Sequence, residues 1–387
     1  MSLLSLTPEQ REIQRTAREF AERELAPHVA QWDRDAHFEP TIVARLAELG
    51  FLGMLLPEAH DGLALETSTY LVALEEIAVV DASTAVLMSV HNSLPTQMLL
   101  RYGSDAQRAR FLAPMARGEL LGAFALSEPE AGSDAASLRC QAERDGDDWI
   151  LSGTKAWVSH GTHAGVILAM ARTDHTDARR GAKGISTFIV TPDLPGFSVG
   201  KKEDKMGLRA SPTVQLTFDQ MRVPGDRLVG EEGKGFTYAL ASLDHGRLGI
   251  AAQAIGIARA AYEAAARYAT ERKQFGKAIG DFQAIQFKLA DMATRITAAR
   301  TLLHAAAAAK DRGERVTRYA SMAKLFATET AMWVTTNAVQ VFGGYGYVTD
   351  YPVERFFRDA KVTEIYEGTS EIQRIVIGRD VLADPSP

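Results

Sequence analysis

The periodicity of apolar residues changes twice along this 387-residue chain, and that change restricts the possible folds more than any single motif. Up to Gly118 the pattern is helical, with capping sequences at residues 7–10 and 104–107. Residues 119–230 contain short β-prone runs separated by Gly, Pro and Asp, with a hairpin signal at Asp145-Gly146. Beyond them, long helical patterns return. The sequence therefore predicts three domains, at residues 1–118, 119–230 and 231–387.

The middle domain is expected to be an antiparallel sheet or a small barrel. No helix-length pattern lies between its β-prone runs, as a parallel doubly wound sheet would require. In the first domain, one uninterrupted helix is expected from Thr84 to Tyr102. In the last domain, three long helices and a short one predict a four-helix bundle, at residues 235–270, 282–310, 316–342 and from 370. The predicted fold class is mainly α with a central β domain.

Composition argues against several classes of function. The formal net charge is −6 without a basic block, so nucleic acid and anionic membrane surfaces are not expected as partners. No apolar run reaches the length of a membrane span, and membrane insertion is not expected. The single cysteine, Cys140, fits a reducing compartment, so a cytoplasmic protein is expected. His160 and His163 have no further ligand cluster near them, so no metal site is expected.

One carboxylate near the C-terminus is the leading candidate for a catalytic group. Glu367 stands between Tyr366 and Gly368, and an apolar-periodic segment follows Thr369, which is the pattern of a loop before a helix N-terminus. A carboxylate held among apolar groups has a raised pKa and becomes a useful base toward weak carbon acids. The glycine would allow another molecule to approach closely. From the residues alone, a turn with a helix cap remains the alternative.

Four further stretches could serve a cofactor or a substrate, although each also has a purely structural interpretation. The loop 126–134 could present backbone groups to a planar molecule, or it could be an ordinary turn. The segment 155–159 could offer the aromatic ring of Trp157 for stacking, or that ring could be part of the core. The cluster at 271–276 offers Arg272 to a pyrophosphate, or is solvated surface. The segment 242–247 places Asp244 and Arg247 on one helical face, where an ordinary ion pair is the alternative. The sequence contains neither a G-x-G-x-x-G motif after a strand nor a P-loop.

With residues 340–344 included, the motifs resemble those of the acyl-CoA dehydrogenase family in order and spacing. The resemblance is nearly full-length, ending at Arg379, and is closest to the short-chain (butyryl) type. It implies that Glu367 removes the proton alpha to an acyl-CoA thioester while FAD takes a hydride, giving a trans-2-enoyl-CoA. It places the thioester oxygen between a flavin ribityl hydroxyl and the Glu367 backbone N–H. It also implies an electron-transferring flavoprotein as acceptor and a homotetramer, arranged as a dimer of dimers.

The same resemblance assigns the other site residues. Those on the flavin ring or its thioester side are Phe124, Leu126, Ser127, Gly132, Ser133, Trp157 and Ser159. Those that reach an FAD held mainly by a neighbouring subunit are Arg272, Gln274, Phe275, Gln340, Gly343 and Gly344. Thr369 and Glu371 complete the cofactor set. The substrate set consists of Ser133, Asp244, Arg247, Tyr366 and Gly368.

Two features of the sequence bear on the substrate. Some family members place the catalytic carboxylate directly before the arginine of this helix, where this chain has Gly246, which cannot act as a base. The segment His91–Leu100, near which the family builds its acyl pocket, contains no cation, so a glutaryl substrate is disfavoured. A short- or medium-chain acyl-CoA, straight or methyl-branched, is expected. The alternatives are an acyl-CoA oxidase, whose usual extra C-terminal domain is absent from this sequence, and a non-catalytic flavin- or CoA-binding relative.

Overall fold

The computed structural model of the protein describes residues 5–174 and 181–385. Helices lie at both ends of the chain and a sheet in the middle, so the predicted fold class is confirmed. The boundaries between the three domains stay a prediction. Before the sheet, the described residues form α1 (Pro8–Phe20), α2 (Val29–Asp35), α3 (Thr41–Glu48), α4 (Thr67–Val80), α5 (Ala82–Ser93), α6 (Pro95–Tyr102) and α7 (Asp105–Ala116).

The first and last of these helices begin at the two predicted capping boxes. The Thr7 hydroxyl accepts from the Gln10 backbone N–H at 3.1 Å, and the Gln10 side chain accepts from the Thr7 N–H at the same distance. Ser104 and Gln107 repeat the arrangement at 3.2 and 3.0 Å. Each box satisfies two backbone donors that would otherwise lack a partner at the helix start. Both starts are therefore confirmed.

The prediction of one helix from Thr84 to Tyr102 is wrong in two ways. The first helix starts earlier, because the Asp81 carboxylate caps it by accepting from the backbone N–H groups of Ser83 and Thr84, each at 3.0 Å. This helix ends at Ser93, and after Leu94 the next helix, α6, begins with Pro95 at its first position. Proline has no N–H to continue the preceding helix, but it is well suited to start a new one.

Eight strands form the central sheet: β1 (Leu121–Ala125), β2 (Gln141–Asp145), β3 (Asp148–Ser159), β4 (Ala164–Arg172), β5 (Ile185–Val190), β6 (Phe197–Lys202), β7 (Thr213–Val223) and β8 (Leu228–Val229). Their order is β6-β7-β3-β2-β4-β5-β8, with β1 beside β4. The predicted hairpin joins β2 to β3, with Asp145 opposite Asp148 and Gly146 at φ 65°. Most pairs are antiparallel, but β1 runs parallel to β4, and β2 makes one parallel pairing with it. Within the described residues β6 and β8 are not paired with each other, so the sheet is open and not a closed barrel.

After the sheet come the four predicted helices and one that the sequence did not indicate. The described helices are α8 (Gly235–Glu271), α9 (Gln283–Asp311), α10 (Thr317–Phe342), α11 (Val353–Thr363) and α12 (Ser370–Ala383), with a small hairpin of β9 (Lys273–Gln274) and β10 (Lys277–Ala278) after α8. The unexpected helix is α11. It packs against α8 and α10, so the loop between α11 and α12 lies on the bundle.

The core joins the two helical regions into one body. Its largest apolar cluster combines side chains of α1, α4 and α5 with those of α8, α9 and α10. A second cluster fills the inside of the sheet, and a third packs the outer sheet face against α6, α7 and α8. The long helix α8 contributes to two of these clusters, so its contacts with the other helices and with the sheet fix its position. No helix among residues 5–174 and 181–385 is both long and apolar enough to cross a bilayer.

Candidate active site

Glu367 lies on the loop between α11 and α12 in a conformation that is unusual for a glutamate. Its φ is 52° and that of Gly368 is 92°, so two successive residues adopt left-handed conformations. The Gln373 side-chain amide donates to the carbonyl oxygens of both residues, at 3.2 and 2.9 Å. Thr369 caps α12 by accepting from the Ile372 N–H at 3.3 Å. The neighbouring structure therefore holds the loop in this shape.

The carboxylate of Glu367 is buried and has no hydrogen-bond partner among the described residues. Both of its oxygens are shielded from solvent, and neither has a hydrogen bond to a described residue. Burial raises the pKa of Glu367 to about 7, against the opposing effect of the nearby Lys324 and Arg247. A carboxyl group of this kind exchanges a proton near neutral pH, as a general base must.

The helix α8 faces this carboxylate with a glycine. A Cβ atom at position 246 would lie 2.6 Å from the Glu367 Cδ and would overlap its Oε2, so any other residue there would displace the present carboxylate. Arg247 follows; it is 5% exposed and pairs with Asp244 at 2.6 Å. Asp244 also accepts from the Thr317 hydroxyl at 2.7 Å. Both the ion pair and the close approach of this helix to the candidate base are thus present.

Buried polar side chains surround the same place; the sequence indicated Tyr366, whereas Gln253, Tyr70 and Ser89 were not predicted. The Tyr366 hydroxyl donates to the Gln253 Oε1, and the Gln253 amide donates to the Ala82 carbonyl oxygen at 2.7 Å. The hydroxyls of Tyr70 and Ser89 are buried without a hydrogen-bond partner among the described residues. Gln253, Tyr70 and Ser89 lie on α8, α4 and α5, far apart in the sequence, and are brought to Tyr366 only in the folded chain. No local pattern in the sequence indicates them.

The predicted acyl segment, His91–Leu100, is buried along almost its whole length. The Nδ1 atom of His91 accepts from the Gly122 N–H at 3.0 Å. Burial lowers the pKa of His91 to about 4, so this side chain is neutral at physiological pH. The segment therefore offers no positive charge.

The first predicted cofactor set lies on β1, the loop after it, and β3. The Ser127 carbonyl accepts from the Ala156 N–H at 2.9 Å, which brings the loop beside the strand. Trp157, at φ 61°, sits where the pairing of β3 with β7 is irregular, and it is 62% exposed, so it is not core. Of the others, Leu126 is buried, Phe124, Ser127 and Ser159 are half-buried, and Gly132 and Ser133 are exposed.

A buried ion pair supports this arrangement. The Lys155 ammonium, fully buried, donates to the Glu128 carboxylate at 2.7 Å and to the Leu126 carbonyl oxygen at 3.2 Å. The same carboxylate accepts from the backbone N–H groups of Arg139 and Cys140, at 2.6 and 2.9 Å. A buried charge is tolerated when it is paired and hydrogen-bonded in this way. The pair fixes the loop that carries Ser127 to the strand that carries Trp157.

The second predicted cofactor set lies around the end of α8 and the end of α10. Four of its members, Arg272, Gln274, Gly343 and Gly344, line one open groove of about 780 Å³. The Arg272 guanidinium stacks over the Tyr345 ring at 5.2 Å. Phe275 and Gln340 are outside the groove lining, and Phe275 is 94% exposed. The structure thus gathers part of this set, and the Phe275 ring, which meets the Phe282 ring edge-on at 6.1 Å, remains largely exposed to another molecule.

The remaining predicted residues divide into two groups. Asp244, Arg247, Tyr366 and Gly368 lie with Glu367 at the α8 face, whereas Ser133 is on the exposed loop after β1. Glu371 is exposed in the first turn of α12. His160 contacts Ser211 at 3.2 Å, and in the part of the chain that the structure describes no group of three His, Cys, Asp or Glu could hold a metal.

The chain matches known proteins along most of its length. Family models match for the acyl-CoA dehydrogenase N-terminal domain at residues 7–119, the middle domain at 123–221 and the C-terminal domain at 233–382. The mouse protein "Short-chain specific acyl-CoA dehydrogenase, mitochondrial" is 47% identical, covering 96% of this chain and 89% of its own.

Two solved structures are similar over nearly the whole chain. The butyryl-CoA dehydrogenase of Megasphaera elsdenii superposes with a TM-score of 0.95 at 42% identity, covering 98% of this chain and 99% of its own. A structure reported for an electron transferring flavoprotein of Acidaminococcus fermentans superposes with a TM-score of 0.96 at 45% identity, covering 99% and 100%. The chain belongs to the acyl-CoA dehydrogenase family, whose members are flavoprotein oxidoreductases of fatty acid oxidation. Within that family it is similar to the short-chain, butyryl-CoA type.

Proposed function

We propose that the protein is an FAD-dependent dehydrogenase that converts a short-chain acyl-CoA to a trans-2-enoyl-CoA. One observation supports this most strongly: the Glu367 carboxylate is buried, has no hydrogen-bond partner among the described residues, and faces Gly246. A buried carboxyl group without a hydrogen-bond partner costs folding free energy, but it is well placed to take a proton from a bound molecule. The glycine opposite has no side chain, so helix α8 lies directly against the carboxylate.

The residues around Glu367 suggest how the chain lowers the barrier to proton removal. With a pKa of about 7, Glu367 is a stronger base than an exposed glutamate, yet a large share of it is ionised at neutral pH. Its backbone N–H has no acceptor among the described residues and is free to donate to a thioester oxygen. Charge developing on that oxygen would be stabilised by such a donor. FAD, when bound, supplies the hydride acceptor for the β carbon.

The residues predicted for FAD fit a large planar cofactor with a charged tail. Trp157 is exposed on the sheet, where a flat ring could stack on it. Gly132 and Gly344 have no atom within 4 Å of where a Cβ would stand, which leaves the backbone open to close approach. Arg272 in the groove offers the forked donor that suits a pyrophosphate. These residues would hold FAD between two copies of the chain, in a tetramer built as a dimer of dimers.

The buried side chains near Glu367 favour a short acyl group over a medium one. The hydroxyls of Tyr70 and Ser89 are buried polar atoms without a hydrogen-bond partner among the described residues, and a long alkyl chain packed there would meet polar atoms and not apolar ones. The neutral segment at His91–Leu100 also gives no charge to receive a terminal carboxylate. A butyryl group, straight or methyl-branched, fits this environment best. An electron-transferring flavoprotein as acceptor and a cytoplasmic location stay predictions.

The test is the absorbance of the purified flavoprotein after anaerobic addition of butyryl-CoA. We expect the flavin band to bleach, with hexanoyl-CoA slower and glutaryl-CoA without effect. Readmitting air separates the rivals, because an oxidase would recover its colour rapidly and form hydrogen peroxide, whereas a dehydrogenase would need an added electron acceptor. A protein that binds FAD but bleaches with none of these thioesters would be the non-catalytic relative.

Replacing Arg272 with alanine should reduce FAD content and weaken the oligomer together. The guanidinium would lose its bonds to a pyrophosphate held across a subunit contact, so we expect roughly tenfold weaker FAD retention. Flavin content after gel filtration and the oligomer mass by light scattering check this. Lys273→Ala, which removes the neighbouring exposed cation, is the matched control. Normal flavin content and mass in Arg272→Ala would contradict the assignment.

A further inference from the structure

A fully buried cation, Lys324, lies beside the loop that carries Glu367. It is 0% exposed on α10, and its ammonium donates to the Gly368 carbonyl oxygen at 2.7 Å. That carbonyl also accepts from the Gln373 amide at 2.9 Å. The two donors come from different helices and meet on the residue next to Glu367. Burying an ammonium is costly, so a lysine with one backbone acceptor needs a further reason for its position.

The charges around this lysine identify the reason. Lys324 interacts with the Glu367 carboxylate, which has no hydrogen bond to a described residue, and it opposes the rise of that group's pKa. Arg247 on α8 is the other cation near Glu367, but Asp244 already neutralises it at 2.6 Å. Lys324 has no carboxylate at hydrogen-bond distance among the described residues. Neither group has a hydrogen-bonded partner of opposite charge among the described residues, so the positive charge of Lys324 compensates the negative charge of Glu367.

The other titratable groups nearby do not replace this pairing. Glu364 at the end of α11 is paired with Lys361 at 2.6 Å, and Glu371 on α12 is exposed. Burial raises the pKa values of Tyr70 on α4 and of Tyr366, so both remain neutral. Burial also lowers the pKa of Lys324 to about 8, which still leaves it largely protonated at neutral pH.

We propose that Lys324 is the positioning residue of the base: its ammonium holds the loop at Gly368 and keeps the adjacent Glu367 carboxylate ionised. The inference rests on the proposed role of Glu367 as the base. In the resting site the positive charge favours the carboxylate that must accept the alpha proton. Once Glu367 has taken that proton, the same charge favours its release again, which prepares the site for the next turnover. The hydrogen bond and the charge are separate contributions and can be tested separately.

The experiment compares Lys324→Met, which removes charge and donor, with Lys324→Gln, which keeps an amide donor for the Gly368 carbonyl. The pH dependence of anaerobic flavin reduction by butyryl-CoA is measured for both. Because the base must be ionised, the rate rises with pH through its pKa, and loss of the cation should move the midpoint to higher pH. We expect a shift of about one unit or more in both variants, and below the midpoint a loss of about tenfold per unit.

Lys205→Gln is the matched control. Lys205 is a half-buried lysine that donates to a backbone carbonyl, that of Ser211, at 2.6 Å, but it shows no interaction with Glu367. Its variant should keep the wild-type midpoint. Unchanged midpoints in both Lys324 variants would overturn the charge-setting role. A shift in Lys324→Met that Lys324→Gln fully reverses would reduce the role to the hydrogen bond and also overturn it.

A second measurement does not depend on flavin reduction. Thermal unfolding is compared for Lys324→Gln, Glu367→Gln and the double variant at a pH between about 7 and about 8, the pKa values of Glu367 and Lys324, where both groups are largely charged. If the two groups stabilise each other, the double variant should lose less stability than the single effects add up to. Strictly additive melting temperatures would count against the pairing. Failure of the proposed function would give a different result. Wild-type protein that does not bleach would contradict the dehydrogenase activity, and a Glu367→Gln variant that bleaches normally would contradict the role of Glu367 as the base.

Discussion

The Glu367→Gln protein should retain FAD and bind acyl-CoA but show almost no flavin reduction. Glutamine keeps the size of the side chain and its place opposite Gly246, whereas the amide cannot accept the alpha proton. Positioned general bases commonly contribute 10²–10⁴-fold, so we expect the reduction rate to fall by roughly 10³-fold. The loss should appear in the chemical step and leave substrate affinity nearly unchanged.

Stopped-flow bleaching by butyryl-CoA without oxygen measures that step directly. Flavin content and the spectral change caused by a bound enoyl-CoA show that both ligands are present. Glu364→Gln provides the control, since it removes a carboxylate only three residues away that is paired with Lys361. We expect that control to stay within a few-fold of wild type. Comparable reduction rates in Glu367→Gln and wild type would show that the base is elsewhere.

The second large effect should come from moving the base to the opposite helix. Glu367→Gly is expected to be inactive, and adding Gly246→Glu should raise its reduction rate by roughly ten- to a hundredfold. The structure supplies the reason, because a Cβ at 246 points directly at the present carboxylate group. Recovery should be partial, since nothing around position 246 is arranged to fix the new side chain. A narrower pocket should also change the preference among acyl chain lengths.

The single variant Gly246→Glu shows whether the effect of the new glutamate depends on the removal of Glu367. With Glu367 still in place, the new side chain would overlap its Oε2, so we expect loss of activity and a lower melting temperature. Removing Glu367 should relieve the overlap and allow a gain of up to about 1 kcal/mol from replacing glycine inside a helix. A folded, FAD-loaded double variant that bleaches no faster than Glu367→Gly would mean that residue 246 cannot reach the substrate carbon.

Local signals in the sequence were sufficient for much of the fold. The capping boxes at Thr7 and Ser104 and the hairpin at Gly146 depend on residues within a few positions of one another, and the structure has all three. The helix α11 was missed because it is short and lies among turn-like residues beside Pro352. The break at Pro95 was missed because the apolar pattern continues across it.

The candidate site could be predicted only where one segment carries it. Glu367 and its neighbours form a contiguous motif, and Gly246 with Arg247 forms another. The residues that set the environment of the carboxylate do not: Lys324, Gln253 and Tyr70 come from three helices. A buried lysine inside an alanine-rich helix looks in sequence like any solvated charge. Its partner is known only once the loop and helix have been brought together.

The left-handed backbone at Glu367 has a consequence for the evolvability of the protein. The position combines a φ of 52° with a buried carboxylate that has no partner among the described residues, and each of these opposes folding. Strain of this type is of the order of 1–3 kcal/mol, and glycine would relieve it. An inactive protein with Glu367→Gly and Lys324→Met, which also removes the buried cation that would lose its counter-charge, should therefore be at least as stable as wild type. Selection for thermostability alone would favour loss of the proposed base, so directed evolution of this enzyme must screen for turnover and not only for folding.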